Sequence, residues 1–387
     1  MADKTGTRKL IGEVLSEILE EAKGGCGKKI AVGLMAYGSE LGSEELLRGA
    51  CLAMENDRGI KVIPIGPKID GFADMDWIET PACESDISKA MENALNEGRI
   101  AGAVALHYPF PLGVATIGKV LTPAKGKPCF IASSTGTSSA NRTEAMVRNA
   151  LYGIAAAKAD GIGNPSVGVL NIDGAQTVLR ALQKLSEGGY AINFGRSIRK
   201  DGGAILRGND LLAGAVDVCV ADTLTGNVLV KLFAAWNTGG DYEALGWGYG
   251  PSAGEGWEKV VSIISRASGA PVIAGALSLN ARSAKNNLPS IVAAELALAK
   301  KAGLDEIIES LQPRHAAEEE NIKAPAPEPT DEEIHGIDVL EIENAVKSLW
   351  KAGIYAESSM GCTGPVIKMA AKNVDKAAEI LKQNGYL

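Results

Sequence analysis

A cysteine set among glycines offers one kind of chemistry above others. In Ser358–Lys368, S-S-M-G-C-T-G-P-V-I-K, Cys362 lies between Gly361 and Thr363-Gly364. Two glycines let a backbone approach a ligand closely and turn several N–H groups toward it. A thiol at such a bend feels partial positive charge, and Lys368 could add a full one; both favour the thiolate. A thiolate is a natural acyl acceptor, because a thioester intermediate divides acyl transfer into two easier steps. The same residues also describe a plain turn in which cysteine is only a small apolar side chain.

The second candidate is Ala221–Lys231, A-D-T-L-T-G-N-V-L-V-K. An apolar run ends at Asp222, Thr225-Gly226-Asn227 open a helix, and Lys231 follows one turn on. In open parallel sheets ligands gather outside the carboxyl ends of strands, where this junction would stand. An N-cap and a tight turn with no ligand would read the same way. Ala36–Glu45, AYGSELGSEE, has the glycines and serines of a phosphate loop but matches neither the dinucleotide fingerprint nor the P-loop. Ser133–Ser139, SSTGTSS, reads as a flexible hydroxyl-rich loop. Cys129 and Cys219 sit in apolar runs and read as core, whereas Cys83 precedes a helix and could be exposed. The three histidines, His107, His315 and His335, are too few for most metal sites, so no metal is expected.

These residues need strands and helices to hold them. Lys29–Met35, Lys61–Ile65, Gly102–Leu106, a run within Pro128–Ala132, Val167–Ile172, Tyr190–Phe194 and Val216–Ala221 read as strands. Ser43–Glu55, Ser85–Glu97 (with Ser85 as N-cap), Asn141–Ala159, Ala175–Leu185, Thr225–Trp236 and Ala284–Ala302 read as helices. That alternation predicts an α/β fold with a mostly parallel sheet covered by helices on both faces. Gly239–Gly256 reads as a mobile surface loop. Ahead of the body, Met1–Glu21 is amphipathic, with Leu10, Ile11, Val14, Leu15, Ile18 and Leu19 on one side. Residues 316–333, acidic and proline-rich, read as a linker between a main body (1–315) and a C-terminal segment (334–387). That segment reads as helix Val339–Ala352, strand Gly353–Ala356, the Cys362 turn and helix Ala370–Gln383.

The 387 residues are 46% hydrophobic and 22% charged, enough for a sizeable core, and the formal net charge is −8. Non-specific binding to nucleic acid or to an anionic membrane is therefore not expected. No apolar window reaches membrane-spanning length, and no signal-peptide pattern opens the chain. Six cysteines without a C-x-x-C pair suggest reduced thiols and a cytoplasmic protein.

Together the segments resemble a known family. Asn164–Asp173, NPSVGVLNID, is similar to the N-P-x-V-x-L-L-N-I segment of the bacterial phosphate acyltransferases of phospholipid synthesis. Tyr190–Lys231 resembles the stretch of that family ending in D-G-F-T-G-N-V-x-L-K, and GCTGPVIK resembles its G-x-R-G-x-V-I-K turn. The likeness spans roughly residues 164–387. It departs at MAYGSELGSEE, where those enzymes carry M-G-G-D, and at Cys362. Those departures and the whole-length pattern resemble the alpha subunits of component C of the glycine (sarcosine, betaine) reductase complexes.

The resemblance implies an isocitrate/isopropylmalate dehydrogenase-like architecture with two lobes around a cleft. It implies acetyl transfer to inorganic phosphate through a thioester on Cys362, giving acetyl phosphate, with phosphate as co-substrate and no other cofactor. Gly361, Thr363, Gly364, Lys368, Asp222, Thr225, Gly226, Asn227 and Lys231 are the residues expected to hold substrate. Implied partners are a ketoacyl-synthase-like beta subunit of component C and a selenoprotein, in a homo- or hetero-oligomer. Two other readings stay open: a CoA- or acyl-carrier-dependent phosphate acyltransferase without a covalent intermediate, and a non-catalytic scaffold for the beta subunit.

Overall fold

The structure is a computed structural model describing residues 29–200, 202–312, 322–338, 341–361 and 364–387. The amphipathic run of Met1–Glu21, His315, residues 316–321 of the expected linker, and Cys362 with Thr363 lie outside the described residues.

The first elements are β1 (Ile30–Met35), α1 (Ser43–Asn56), β2 (Ile60–Gly66), β3 (Ile78–Glu79), α2 (Glu84–Asn96) and β4 (Gly102–Ala105). Then come β5 (Val114–Leu121), β6 (Pro128–Thr137), α3 (Arg142–Ala159), β7 (Ser166–Leu170) and α4 (Ala175–Glu187). They are followed by β8 (Asn193–Phe194), β9 (Ile205–Leu206), α5 (Gly208–Ala213), β10 (Val218–Val220) and α6 (Thr223–Ala235). Next stand β11 (Gly250–Gly254), β12 (Val261–Ile263), α7 (Ala270–Lys285), α8 (Leu288–Lys301) and α9 (Leu304–Ser310). Last are β13 (Glu332–Ile334), α10 (Ile342–Lys351), β14 (Ala356–Gly361), β15 (Gly364–Met369) and α11 (Val374–Gln383).

The chain divides into two compact units. The first takes Met1–Pro109, Gly118–Leu121 and Val228–Ser290; the second takes Phe110–Ile117, Thr122–Asn227 and Ile291–Leu387. In the first unit the strand order runs β3-β2-β1-β4-β12-β11, parallel except for β11 against β12. Helices α1 and α7 cover it, packing Leu46, Ala50, Ile273 and Leu277 on Val32, Leu34, Val62 and Val104. Apolar runs such as IAVGLM suit strands shielded by helices, where alternation with polar residues would bury polar groups.

The second unit carries the order β6-β10-β7-β8, all parallel, with β9 also paired to β7. Helix α3 is buried along almost its whole length, which fits its alanine-rich sequence with no wide polar face. The same unit contains a separate antiparallel sheet, β13-β15-β14. Its core joins Ile334, Ile367 and Met369 to Val346 and Leu349 of α10 and Leu381 of α11.

Several sequence expectations are corrected. Gly239–Gly256 contains the buried strand β11 rather than a surface loop throughout. Strands β5 and β12 and most of α7 are additions that the sequence pattern does not announce. The helix expected over Ala284–Ala302 is two helices, broken where Asn287 takes a φ of 53°. Within Tyr190–Phe194 only Asn193 and Phe194 form a strand. SSTGTSS is not a flexible loop: β6 runs on to Thr137, and Ser133 and Ser134 are fully buried. The N-cap of α2 is Cys83, not Ser85. The segment after Gly364 is a strand, and the expected helix begins only at Val374, after a short 3-10 turn.

Candidate functional site

The apolar strand β10 ends at Val220, and Asp222 then caps α6. Its carboxylate accepts from the Thr225 N–H at 3.1 Å and from the Thr225 hydroxyl at 2.6 Å. An acidic residue here satisfies an orphan N–H and suits the positive end of the helix dipole. Arg142, in the first turn of α3, donates to the same carboxylate at 3.1 Å and lies 3.7 Å from Asp173, just beyond β7. Partial burial alone would raise the Asp222 pKa, but the Thr225 and Arg142 donors outweigh it and hold the carboxyl below its ordinary value.

Around this junction the carboxyl end of β6 supplies a buried hydroxyl network. Ser133 Oγ and Thr223 Oγ1 lie 2.8 Å apart, and Asn149 donates to Ser133 Oγ at 3.1 Å. Asn149 in turn accepts from Ser138 at 2.8 Å. Thr116 Oγ1 hydrogen-bonds with Ser134 Oγ at 2.9 Å and Thr135 Oγ1 at 2.8 Å. Buried polar groups require such partners, so these serines and threonines are engaged inside the fold rather than offered to a ligand.

Asp222, Thr225, Gly226 and Asn227 therefore come together at one strand-to-helix junction, though already engaged with one another and with β6. The Gly226 N–H donates to Asp222 O at 2.9 Å. A Cβ on Gly226 would stand 1.8 Å from Ser133 O, so glycine is needed for α6 to approach β6. Asn227 Nδ2 donates to Ser134 O at 3.0 Å. Lys231 belongs to the other unit, where its ammonium lies 2.9 Å from Glu243 and 3.1 Å from Ser265 Oγ. Glu243 is buried and also accepts from Tyr249 at 2.9 Å and Ser268 at 2.8 Å. Removing Lys231 would strip a buried carboxylate of its cation, a costly change in itself.

Strands β14 and β15 pair in antiparallel register from Ala356↔Met369 to Gly361↔Gly364. Gly361 and Gly364 thus face each other across the position where Cys362 and Thr363 intervene in sequence. Lys368 is set opposite Glu357 on one neighbouring strand and Glu333 on the other, and its ammonium lies 3.3 Å from Glu333. Its charge is balanced locally by Glu333.

Cys129 and Cys219 are buried core residues, as expected, and burial pushes Cys129 up to about 12 and raises Cys219 well above an ordinary thiol. Burial and then Glu55 raise Cys51. Cys83 is exposed, and hydrogen bonds from the Ser85 hydroxyl and then from the Asp86 and Ser85 N–H groups lower its pKa. His107 is exposed beyond β4, and His335 lies 3.6 Å from Glu333. Among the described residues no cluster of three His, Cys, Asp or Glu could hold a metal, and no helix is long and apolar enough to cross a membrane. Sequence reasoning missed Arg142, Ser133 and Asn149. Arg142 and Ser133 have partners 80 and 90 residues away, and Asn149 meets Ser133 and Ser138 only once β6 and α3 pack together.

Comparison with known proteins adds to this geometry. A family model described as "Fatty acid synthesis protein" matches residues 29–368. The alpha subunit of the glycine/sarcosine/betaine reductase complex component C from Peptoclostridium acidaminophilum is 49% identical over 383 residues, covering 98% of this chain and 99% of the relative. The phosphate acyltransferases of Thermotoga petrophila and Thermotoga maritima are each 29% identical over 235 residues. Those alignments cover 52% of this chain and 66% and 68% of the two relatives. A family match across most of the chain and near-complete alignment to a component C subunit lead to one conclusion: this chain belongs to the fatty acid synthesis protein family and, within it, with the component C alpha subunits of glycine/sarcosine/betaine reductase complexes.

Proposed function

We propose that this chain carries an acetyl group as a thioester on Cys362 and transfers it to inorganic phosphate, giving acetyl phosphate. The observation that carries the reading is the end-to-end likeness to a component C alpha subunit, joined to relatives named for acyl transfer and phosphate. A phosphate oxygen attacks the thioester carbonyl carbon, the C–S bond breaks, and the Cys362 thiolate leaves. Acetyl phosphate departs, and no electron donor is consumed. Phosphate is already an anion and a thiolate is a good leaving group, so the main demand on the protein is to hold the two together. Donors aimed at the tetrahedral oxyanion would supply the rest, each contributing about 3 kcal/mol.

The backbone at Gly361, Thr363 and Gly364 is the proposed cradle for that oxyanion. Asp222, Thr225, Gly226 and Asn227 frame the junction beside it in the proposal. Lys231 or Lys368 would meet phosphate only by yielding Glu243 or Glu333. The isocitrate/isopropylmalate dehydrogenase-like assignment and the cytoplasmic setting belong to the same proposal. So do the partners, a ketoacyl-synthase-like beta subunit and a selenoprotein of the complex.

The test is chemical. The protein is incubated with a labelled acetyl donor, digested, and its acetylated thiol mapped by mass spectrometry. Label is expected on Cys362, and Cys362→Ser is expected to lose acetyl-phosphate formation by at least roughly a thousandfold, as removal of a covalent nucleophile does. Undiminished turnover in that variant ends the proposal. The phosphate acyltransferase relatives favour a second reading, direct transfer from CoA or a carrier without a covalent intermediate. Turnover with no acetylated peptide would select it.

A further inference from the structure

We propose that a cavity between α2 and the chain leaving β4 binds a small carboxylate with a flat apolar body, its ring on Tyr108 and Pro109 and its charge against Lys89. The lining includes Ser88, Lys89, Glu92 and Asn93 of α2 with Tyr108 and Pro109, all within the first unit. The cavity measures about 350 Å³. That is the low end of the roughly 300–1,000 Å³ of small-molecule pockets. It has room for a ring and its acid group, not for a coenzyme.

The fold sets these groups around one space. Ser88 and Glu92, like Lys89 and Asn93, stand one helical turn apart, so the four share a face of α2. Ile87, Met91 and Ala94 are buried and anchor the helix on β1 and β2. β4 ends at Ala105, and Pro109 biases Tyr108 away from helical backbone. Tyr108 then reaches α2, where its hydroxyl donates to the Glu92 carboxylate. Lys259 pairs with the same carboxylate. The Trp257 ring meets the Tyr108 ring in a T-shaped contact, with centroids 6.1 Å apart and planes at 73°. Lys259 Nζ lies 5.9 Å from the Trp257 ring centre. Tyr108 is therefore held through its hydroxyl and by a neighbouring ring, which makes it a fixed wall.

The charges select an anion. Glu92 is the one carboxylate among these lining residues, and Lys259 balances it. Burial, and then the bond to Glu92, raise the Tyr108 pKa, so the phenol keeps its proton and adds no charge. What remains is Lys89, exposed at the rim, a compact ammonium with three donors on a flexible stem. Ser88 and Asn93 add a hydroxyl and an amide beside it. The opposite wall is a proline and a phenol ring whose polar end is already engaged, so it offers mainly carbon. A metal cation would find a single carboxylate, already paired. A small hydrated anion would leave the ring uncovered. A carboxylate on a flat ring satisfies both walls. This site goes beyond the acetyl-transfer reading and does not depend on it.

Saturation-transfer NMR titrations of the full chain test the site with probes of one shape and different charge: phenylacetate, neutral phenylacetamide and cationic phenethylammonium. Phenylacetate is expected to bind about tenfold more tightly than phenylacetamide, the worth of one charged hydrogen bond, and phenethylammonium most weakly. That order is read on the wild type and needs no variant. Lys89→Gln should weaken phenylacetate about tenfold and leave phenylacetamide unchanged. Ser88→Trp, which places an indole in the cavity, should remove the binding of both. Thermal unfolding checks that each variant is folded. No saturable binding of phenylacetate, equal affinity for the probes, or a preference for phenethylammonium overturns the site. Undiminished phenylacetate binding in Lys89→Gln overturns it as well.

Discussion

Asp222 carries hydrogen bonds from Thr225 and Arg142 on a side chain only 15% open to water. Burial by itself would favour its protonated form; the donors reverse that, and the carboxyl titrates below the ordinary aspartate range. A carboxyl with a lowered folded pKa adds stability that is complete above the unfolded value of about 3.9. That contribution is lost as pH falls through the lower folded value. Asp222→Asn should therefore cost about 1.5–3 kcal/mol at pH 7, the worth of a charge-assisted hydrogen bond. Between about pH 4 and pH 2 the variant and the wild type should converge. Urea unfolding across that range measures it, and a gap that stays constant to the acid end would remove Asp222 from the acid sensitivity. From its sequence setting the residue is a ligand candidate. Its bonds show a helix cap whose charge also holds Arg142 at the end of β10, so a loss of activity in an Asp222 variant must be read beside its stability.

The β6–α6 contact is the element on which the junction depends. Ser133 cannot retreat from the helix, since its N–H reaches Ala221 O at 3.3 Å and its hydroxyl meets Thr223 and Asn149. Gly226→Ala would press a methyl into that backbone and should cost about 3 kcal/mol or more. Thermal unfolding of the purified variant measures the loss, and an unshifted midpoint would mean that α6 can lift off β6 freely. Much of the parallel framework is legible in the sequence because doubly covered strands such as β1, β7 and β10 are short unbroken apolar runs. β5 is not, because VATIGKVL contains Lys119, an odd residue for a buried strand. The ammonium lies 4.3 Å from the Trp247 ring centre, which lets lysine stay inside as a cation–π pair. β11, Gly-Pro-Ser-Ala-Gly, has the composition of a turn and the burial of a core strand. At the site, Asp222–Asn227 can be read locally. Arg142 and Ser133, 80 and 90 residues away from their partners, cannot, since only the fold brings them in.

For the molecule as a whole, a net charge of −8 does not attract anions, so the proposed binding of phosphate would depend on local fields. Any such field needs a fixed frame, and polar ties from α4 hold the small β13–β15 sheet in place. Arg180 of α4 is one of them. Its guanidinium donates to Gly336 O at 2.8 Å and Tyr386 O at 3.1 Å, and lies 3.5 Å from Glu341. Burial lowers its pKa from the ordinary arginine value, against the pull of Glu341 and Asp338, yet arginine stays charged throughout the accessible range. Arg180→Met keeps much of the packing stem and deletes the donors, leaving two carbonyls and a carboxylate without it. Charged hydrogen bonds of this kind contribute about 1.5–3 kcal/mol. Local opening of the β13–β15 sheet should then rise by at least roughly tenfold, while the parallel sheet keeps its protection. Hydrogen exchange resolved by peptide distinguishes the outcomes: faster exchange confined to β14 and β15 makes Arg180 the clasp of the small sheet. An equal rise in β7 and β10 would mean that the small sheet and the parallel sheet open as one cooperative body, and that no single side chain governs the opening of β14 and β15.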